Sequence, residues 1–167
     1  GLHPVPVAHH GNATESAEEA AVVVETIREL LGRTWNPGTR DDGTPQGPTR
    51  RLTDADIIVV TPYNAQQQLV REHLDAAGLR GARVGTVDTF QGQEAVIAIV
   101  SMAASSPHDV PRGMEFLILR NRLTVAISRA EWAAYLVHSP ALADHLPRTP
   151  KAVAELSAFL RLLDAGE

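Results

Sequence analysis

The chain has 167 residues, 44% hydrophobic and 21% charged, a balance that suits one folded domain with a real core and excludes a disordered tail. Its formal net charge of −5 and pI near 5.8 exclude a protein that wraps nucleic acid by bulk positive charge, so any such contact must be local. Absent cysteine excludes disulfides and thiolate metal sites, and the longest apolar runs, 56–61 and 95–102, are far too short to span a membrane.

No charged segment followed by an apolar one opens the chain, so no signal peptide is expected and a cytoplasmic location is. The abrupt start suggests a piece of a longer protein. Leu2–His9 alternates as a strand does. Ser16 and Glu19 have capping-box spacing ahead of a helix carrying Ala20, Val23, Val24, Ile27, Leu30 and Leu31 on one face, with Gly32 just past its end. Gly, Pro, Thr and charged residues crowd 33–53, which predicts a long surface loop.

Residues 56–61 form a β-branched run, expected of a strand buried on both faces. Pro62 stops it, and Asn64 is expected to cap a helix carrying Leu69, Val70, Leu74 and Ala77 that closes at Gly78. Arg83–Val87 and Ala95–Ser101 read as strands, 103–113 as a loop, 121–129 as a helix and Ala133–His138 as a strand. Pro150 opens a last helix. Strands alternating with helices predict right-handed crossovers and a three-layer α/β domain with a mainly parallel sheet, whose ligands sit at the carboxyl ends of strands.

Three stretches at or near strand ends could carry chemistry. Thr61-Pro62-Tyr63-Asn64-Ala65-Gln66 joins a strand to a helix, where free N–H groups and the dipole suit a phosphate; taken alone, a plain strand-to-helix turn accounts for it better. Val84–Glu94 packs Asp, Phe, Gln, Gly, Gln and Glu between two strands, an order unusual for a mere connection, around a glycine that permits close approach. Arg122–Ala130 places Leu123, Ala126, Ile127 and Ala130 on one helix face with Arg122 and Arg129 two turns apart. Such arginines are either solvated or suited to bidentate phosphoryl contact.

Together these stretches resemble motifs IV, V and VI of superfamily 1 helicases, in the branch of the nonsense-mediated-decay helicase. Some bacterial relatives there fuse the module to a RecB-like nuclease. Val87–Glu94 matches the family's V-D-x-F-Q-G-x-E throughout. Arg122–Ala130 matches R-L-N-V-A-x-[ST]-R-A except at Thr124, where asparagine is usual, and Glu131 follows where a basic residue is common. The resemblance implies that residues 1–167 are the second RecA-like domain, with a P-loop NTPase fold that lacks its own Walker A loop. The sole lysine, Lys151, lies in no G-x-x-x-x-G-K-[ST] sequence.

What the resemblance implies for individual residues follows from that family. Arg129 would be the arginine finger, the catalytic residue. Gly92, Gln93 and Glu94 would lie at the nucleotide, with Glu94 toward the ribose hydroxyls. Thr61, Tyr63 and Thr86 would face the nucleic-acid backbone. ATP with Mg²⁺ would be held mainly by an absent first RecA-like domain of the same parent chain. The other partner would be single-stranded nucleic acid, DNA ahead of RNA, in DNA repair. The isolated domain would be inactive. The alternative is a catalytically silent α/β module that binds nucleotide or nucleic acid. Seven histidines raise a metal-dependent hydrolase, but no pair has ligand spacing on one helix with an acidic partner, so no metal site is expected.

Overall fold

The computed structural model describes residues 2–90, 92–110, 127–144 and 161. Its elements are β1 (Leu2–Pro6), α1 (Ala17–Leu30), β2 (Thr34–Trp35), β3 (Arg50–Arg51), β4 (Ile57–Val60), α2 (Asn64–Ala76), β5 (Arg83–Gly85), β6 (Ala95–Ser101) and β7 (Ala130–His138). Five of the strands form one sheet in the order β1-β7-β6-β4-β5, every pair parallel. This is the RecA-like α/β arrangement expected from the alternation of strands and helices. The last helix expected after Pro150, apart from the helical Arg161, and residues 121–126 of the one before β7, lie outside the described residues. The end of that second helix is helical at Ile127 and Ser128.

One face of the sheet carries Ile57, Val59, Ile97, Ile99 and Val137 against Ala20, Val23, Val24, Ile27 and Leu30 of α1 and Val70 and Leu74 of α2. Each such large apolar side chain, fully buried, contributes about 1.5–3 kcal/mol. The other face gathers Ile58, Val60, Ala98, Val100 and Leu136 with Tyr63, Phe90, Met102 and Val110. Having both faces covered explains why β4 and β6 read as unbroken apolar runs.

Three local readings need correction. Asn64 begins α2 rather than capping it; the cap position is Tyr63, without a side-chain bond. Ser16 caps α1 by accepting the Glu19 N–H at 3.1 Å, but Glu19 does not reach back as a capping box requires. Its carboxylate turns inward, because stronger donors wait there (below). Finally, 33–53 is not a plain loop. Its arms pair as β2 and β3, Thr39 bridges Pro45, and Leu52 is buried.

That hairpin is tied to the sheet by one ion pair. Arg50 donates to both carboxylate oxygens of Asp56, at 2.7 and 2.5 Å, and its guanidinium lies 5.0 Å from the Trp35 ring centre. The Arg50 bonds, aided by the Thr53 N–H and opposed by burial, hold the Asp56 carboxyl below its ordinary value of 3.8. A depressed folded value means this stabilisation is complete above the unfolded value and is lost as pH falls through the folded one. Arg50→Ala is therefore expected to lower the urea midpoint at pH 7. The gap to wild type should close as the pH drops below 3.8, which unfolding curves across the acid range will check.

Candidate functional site

The singled-out residues divide between the two edges of the sheet. At the carboxyl edge, the Thr61 N–H donates to the Gly85 carbonyl at 3.0 Å, which ties the turn after β4 to the end of β5. Thr61 Oγ1 donates to the Tyr63 carbonyl at 2.8 Å and accepts the Tyr63 N–H at 3.2 Å. Both side chains are buried, and Tyr63 belongs to the same apolar cluster as Met102, Ala103, Ala104 and Leu142. The stretch is therefore a tightly self-bonded turn; Thr61, Tyr63 and Gln66 are turned inward, while Asn64 is exposed. Thr86 stands beside it, half-buried, its Oγ1 3.3 Å from that of Thr89.

Between the edges runs the segment 86–94. In a parallel sheet it must carry the chain from the carboxyl end of β5 to the amino end of β6. A 3₁₀ turn at Asp88–Phe90 drops the buried Phe90 ring onto the core and shortens the path. Gly85 makes the start possible, since a Cβ there would lie 2.7 Å from the Thr89 side chain. Gly85→Ala should cost about 1–3 kcal/mol by displacing Thr89, with denaturant unfolding as the measurement.

At the amino edge stand Gly92, Gln93 and Glu94, all exposed. Gly92 adopts φ +77°, with open space where a Cβ would be. Gln93 accepts from Arg83 at 3.1 Å and donates to the Thr89 carbonyl at 3.2 Å, so its amide is already engaged. Arg129 joins them: its carbonyl accepts the Ala95 N–H at 2.9 Å, one residue from Glu94. The Arg129 side chain is half-buried, and its Nε is buried with no hydrogen-bond partner among the described residues. An expectation is overturned here. These residues lie at the amino ends of β6 and β7, not at carboxyl ends, because the connection into β6 has already crossed the sheet. β6 has seven residues, so about 20 Å separates the two groups.

Glu131, whose charge so close to Arg129 departs from the expected pattern, adds its field to that of Asp56 in holding the Arg50 guanidinium charged. Arg122 and Thr124 lie outside the described residues. Among the described residues no helix is long and apolar enough to cross a membrane.

A family model described as an AAA domain matches residues 7–140. The chain belongs to that family. Its relatives place this AAA domain among superfamily 1 helicases of the nonsense-mediated-decay-helicase branch. An uncharacterized ATP-dependent helicase of Caenorhabditis elegans is 31% identical over 127 residues, 76% of this chain and 7% of its own length. DNA polymerase alpha-associated DNA helicase A of Schizosaccharomyces pombe is 46% identical over 78 residues, 47% of this chain and 11% of its own. The ATP-dependent helicase upf1 of the same yeast is 32% identical over 96 residues, 53% of this chain and 10% of its own. The helicase domain thus spans only a tenth or so of these relatives.

Sequence reasoning missed one group of residues in this AAA domain. His9, one of the seven histidines without metal-ligand spacing, is buried and bonded to Glu19 at 2.6 Å. The usable signal was Glu19 itself, a carboxylate on the helix face that carries Val23 and Ile27.

Proposed function

We propose that this domain is the second motor domain of an ATP-dependent superfamily 1 helicase, with Arg129 as its arginine finger. The observation that carries the reading is the position of Arg129: at the amino edge, its carbonyl bonded to the Ala95 N–H next to Glu94, with a buried Nε–H left without a partner among the described residues. An unspent donor on a delocalised cation suits the charge that spreads over phosphoryl oxygens during transfer. Gly92 offers backbone approach, and Glu94 an exposed carboxylate that could accept from ribose hydroxyls. The residues present therefore fit one side of a nucleotide. ATP with Mg²⁺ would be held chiefly by a first RecA-like domain outside this chain, and its γ-phosphoryl group is what Arg129 would stabilise.

Nucleic acid is assigned to the opposite edge, where Thr61, Tyr63 and Thr86 shape the turns. With Thr61 and Tyr63 buried, contact there would go through backbone groups and Thr86, which suits phosphate binding and an acidic protein. Single-stranded DNA is placed ahead of RNA.

The test is Arg129→Ala in the full-length protein. Nucleic-acid-stimulated kcat for ATP hydrolysis is expected to fall by about 10³-fold or more, with the unfolding curve unmoved. Arg129→Lys should recover little, because an ammonium lacks the planar fork. Unchanged turnover in Arg129→Ala would overturn the assignment and leave a silent binding module. Oligothymidylate should stimulate at lower concentration than oligouridylate, and the reverse would make RNA the substrate.

A further inference from the structure

Beneath the carboxyl edge lies a buried polar cluster far larger than the capping of one helix requires. The fully buried Glu19 carboxylate accepts three hydrogen bonds: from His9 Nε2 at 2.6 Å, Ser101 Oγ at 2.9 Å and the Ala103 N–H at 3.1 Å. Ser101 Oγ in turn accepts from Gln66 Nε2 at 3.0 Å, and Gln66 Oε1 accepts the Ser16 N–H at 2.7 Å. His9 Nδ1 lies 2.6 Å from Ser105 Oγ, which itself accepts the Asn12 N–H at 2.8 Å. Asn12 Nδ2, an amide nitrogen that can only donate, lies 3.1 Å from Nδ1, so Nδ1 accepts and Nε2 is the donor to Glu19. His9, Ser16, Glu19, Gln66, Ser101 and Ser105 are all buried.

The backbone that Glu19 holds is strained. Ala103 has φ +68°, the one non-glycine residue with positive φ among the described residues. The Ala104 N–H donates to the Met102 carbonyl at 2.8 Å, which closes a three-residue turn around it. Such a turn with positive φ at its centre is the rare, costly form, and it persists only where surroundings over-determine it. Here they do so twice. Glu19 takes the Ala103 N–H, and the Tyr63 ring packs in the same apolar cluster as Met102, Ala103 and Ala104. Tyr63 is the cap position of α2 and Gln66 lies in that helix's first turn, so the same few groups fix the start of α2, directly after the turn that leaves β4, against the turn after β6.

We propose that Glu19 is a positioning residue for the nucleic-acid edge. Through Ser101 and Gln66 on one side and the Ala103 N–H on the other, it sets the turn after β4 against the turn after β6. Movement at either turn alters the donors of one carboxylate and is felt at the other. The inference rests on the helicase reading above, which puts nucleic acid at this edge. Neither Glu19 nor Ala103 touches nucleotide or nucleic acid in that reading; both act through their neighbours.

The test uses the full-length protein and two substitutions. Ala103→Gly removes the conformational penalty without removing a side-chain hydrogen bond, so the fold should survive. Its ATP hydrolysis without nucleic acid should match wild type, while glycine's wider backbone freedom loosens the turn that Glu19 holds, so the oligothymidylate or oligouridylate concentration giving half-maximal stimulation should rise about tenfold. Glu19→Gln keeps the size but sets an N–H against one of three donors, and should raise the same activation constant. A purely structural role would shift the denaturation midpoint alone. If Ala103→Gly follows the wild-type activation curve, the positioning role is overturned while the helicase reading stands. If wild type responds to neither oligonucleotide, the helicase reading fails and takes this inference with it.

Discussion

A sheet whose strands all point the same way obliges every connection to return the chain along its full length. Here that constraint decides which polar residues can meet. The segment after β5 leaves the carboxyl edge at Thr86 and arrives at the amino edge at Glu94, so one nine-residue stretch serves two places. Its polar residues are assigned to nucleic acid at the beginning and to nucleotide at the end. The buried Phe90 between them turns a connector into a strut. In the proposed reading, chemistry at one edge and binding at the other would be linked by packed core through Phe90.

Charge is distributed to suit that division. The acidic chain confines its useful cations: Arg83 is engaged with Gln93, Arg71 with the carbonyls of Leu79 and Ala82, and Arg50 with Asp56. Arg129 differs in keeping a buried N–H without a partner among the described residues. The buried carboxylate of Glu19 is the opposite case. A desolvated charge is tolerable only when fully hydrogen-bonded, and three donors converge on it from β6, the turn after β6 and the turn before α1. Such a site is rigid because loss of any one donor is costly.

Much of the fold was legible in the sequence because buried parallel strands write themselves as β-branched runs. Ala95–Ser101 appears in the structure with the limits its apolar run suggests. The ends of α1 and α2 were equally readable, since Gly32 and Gly78 take the positive φ that a helix exit demands. Less legible was which edge each polar stretch reaches. A rule that ligands collect at carboxyl ends says nothing about where a long crossover delivers its last residues. Side-chain direction was also hidden. Thr61 and Tyr63 offer a hydroxyl and an aromatic ring in one dimension and neither to solvent in three. Glu19 satisfied the capping-box spacing, and local spacing carries no trace of donors on Ser101 and Ala103, more than eighty residues away. β7 begins at Ala130 rather than Ala133 because pairing with Ala95 extends it beyond its apolar part.

The hairpin between α1 and β4 has a practical use. Its arms are fastened at the base by Arg50 and Asp56, while the outer bend, Arg40–Thr44, is solvent-exposed and closed by its own bonds, with Gly43 at φ +84°. None of the described core residues lies in that bend. It is a natural place to splice a fluorescent label or an affinity handle, because an exposed tip tolerates added chain far better than a packed segment does. A reporter grafted there would be carried on an exposed bend that contributes no residue to the buried core.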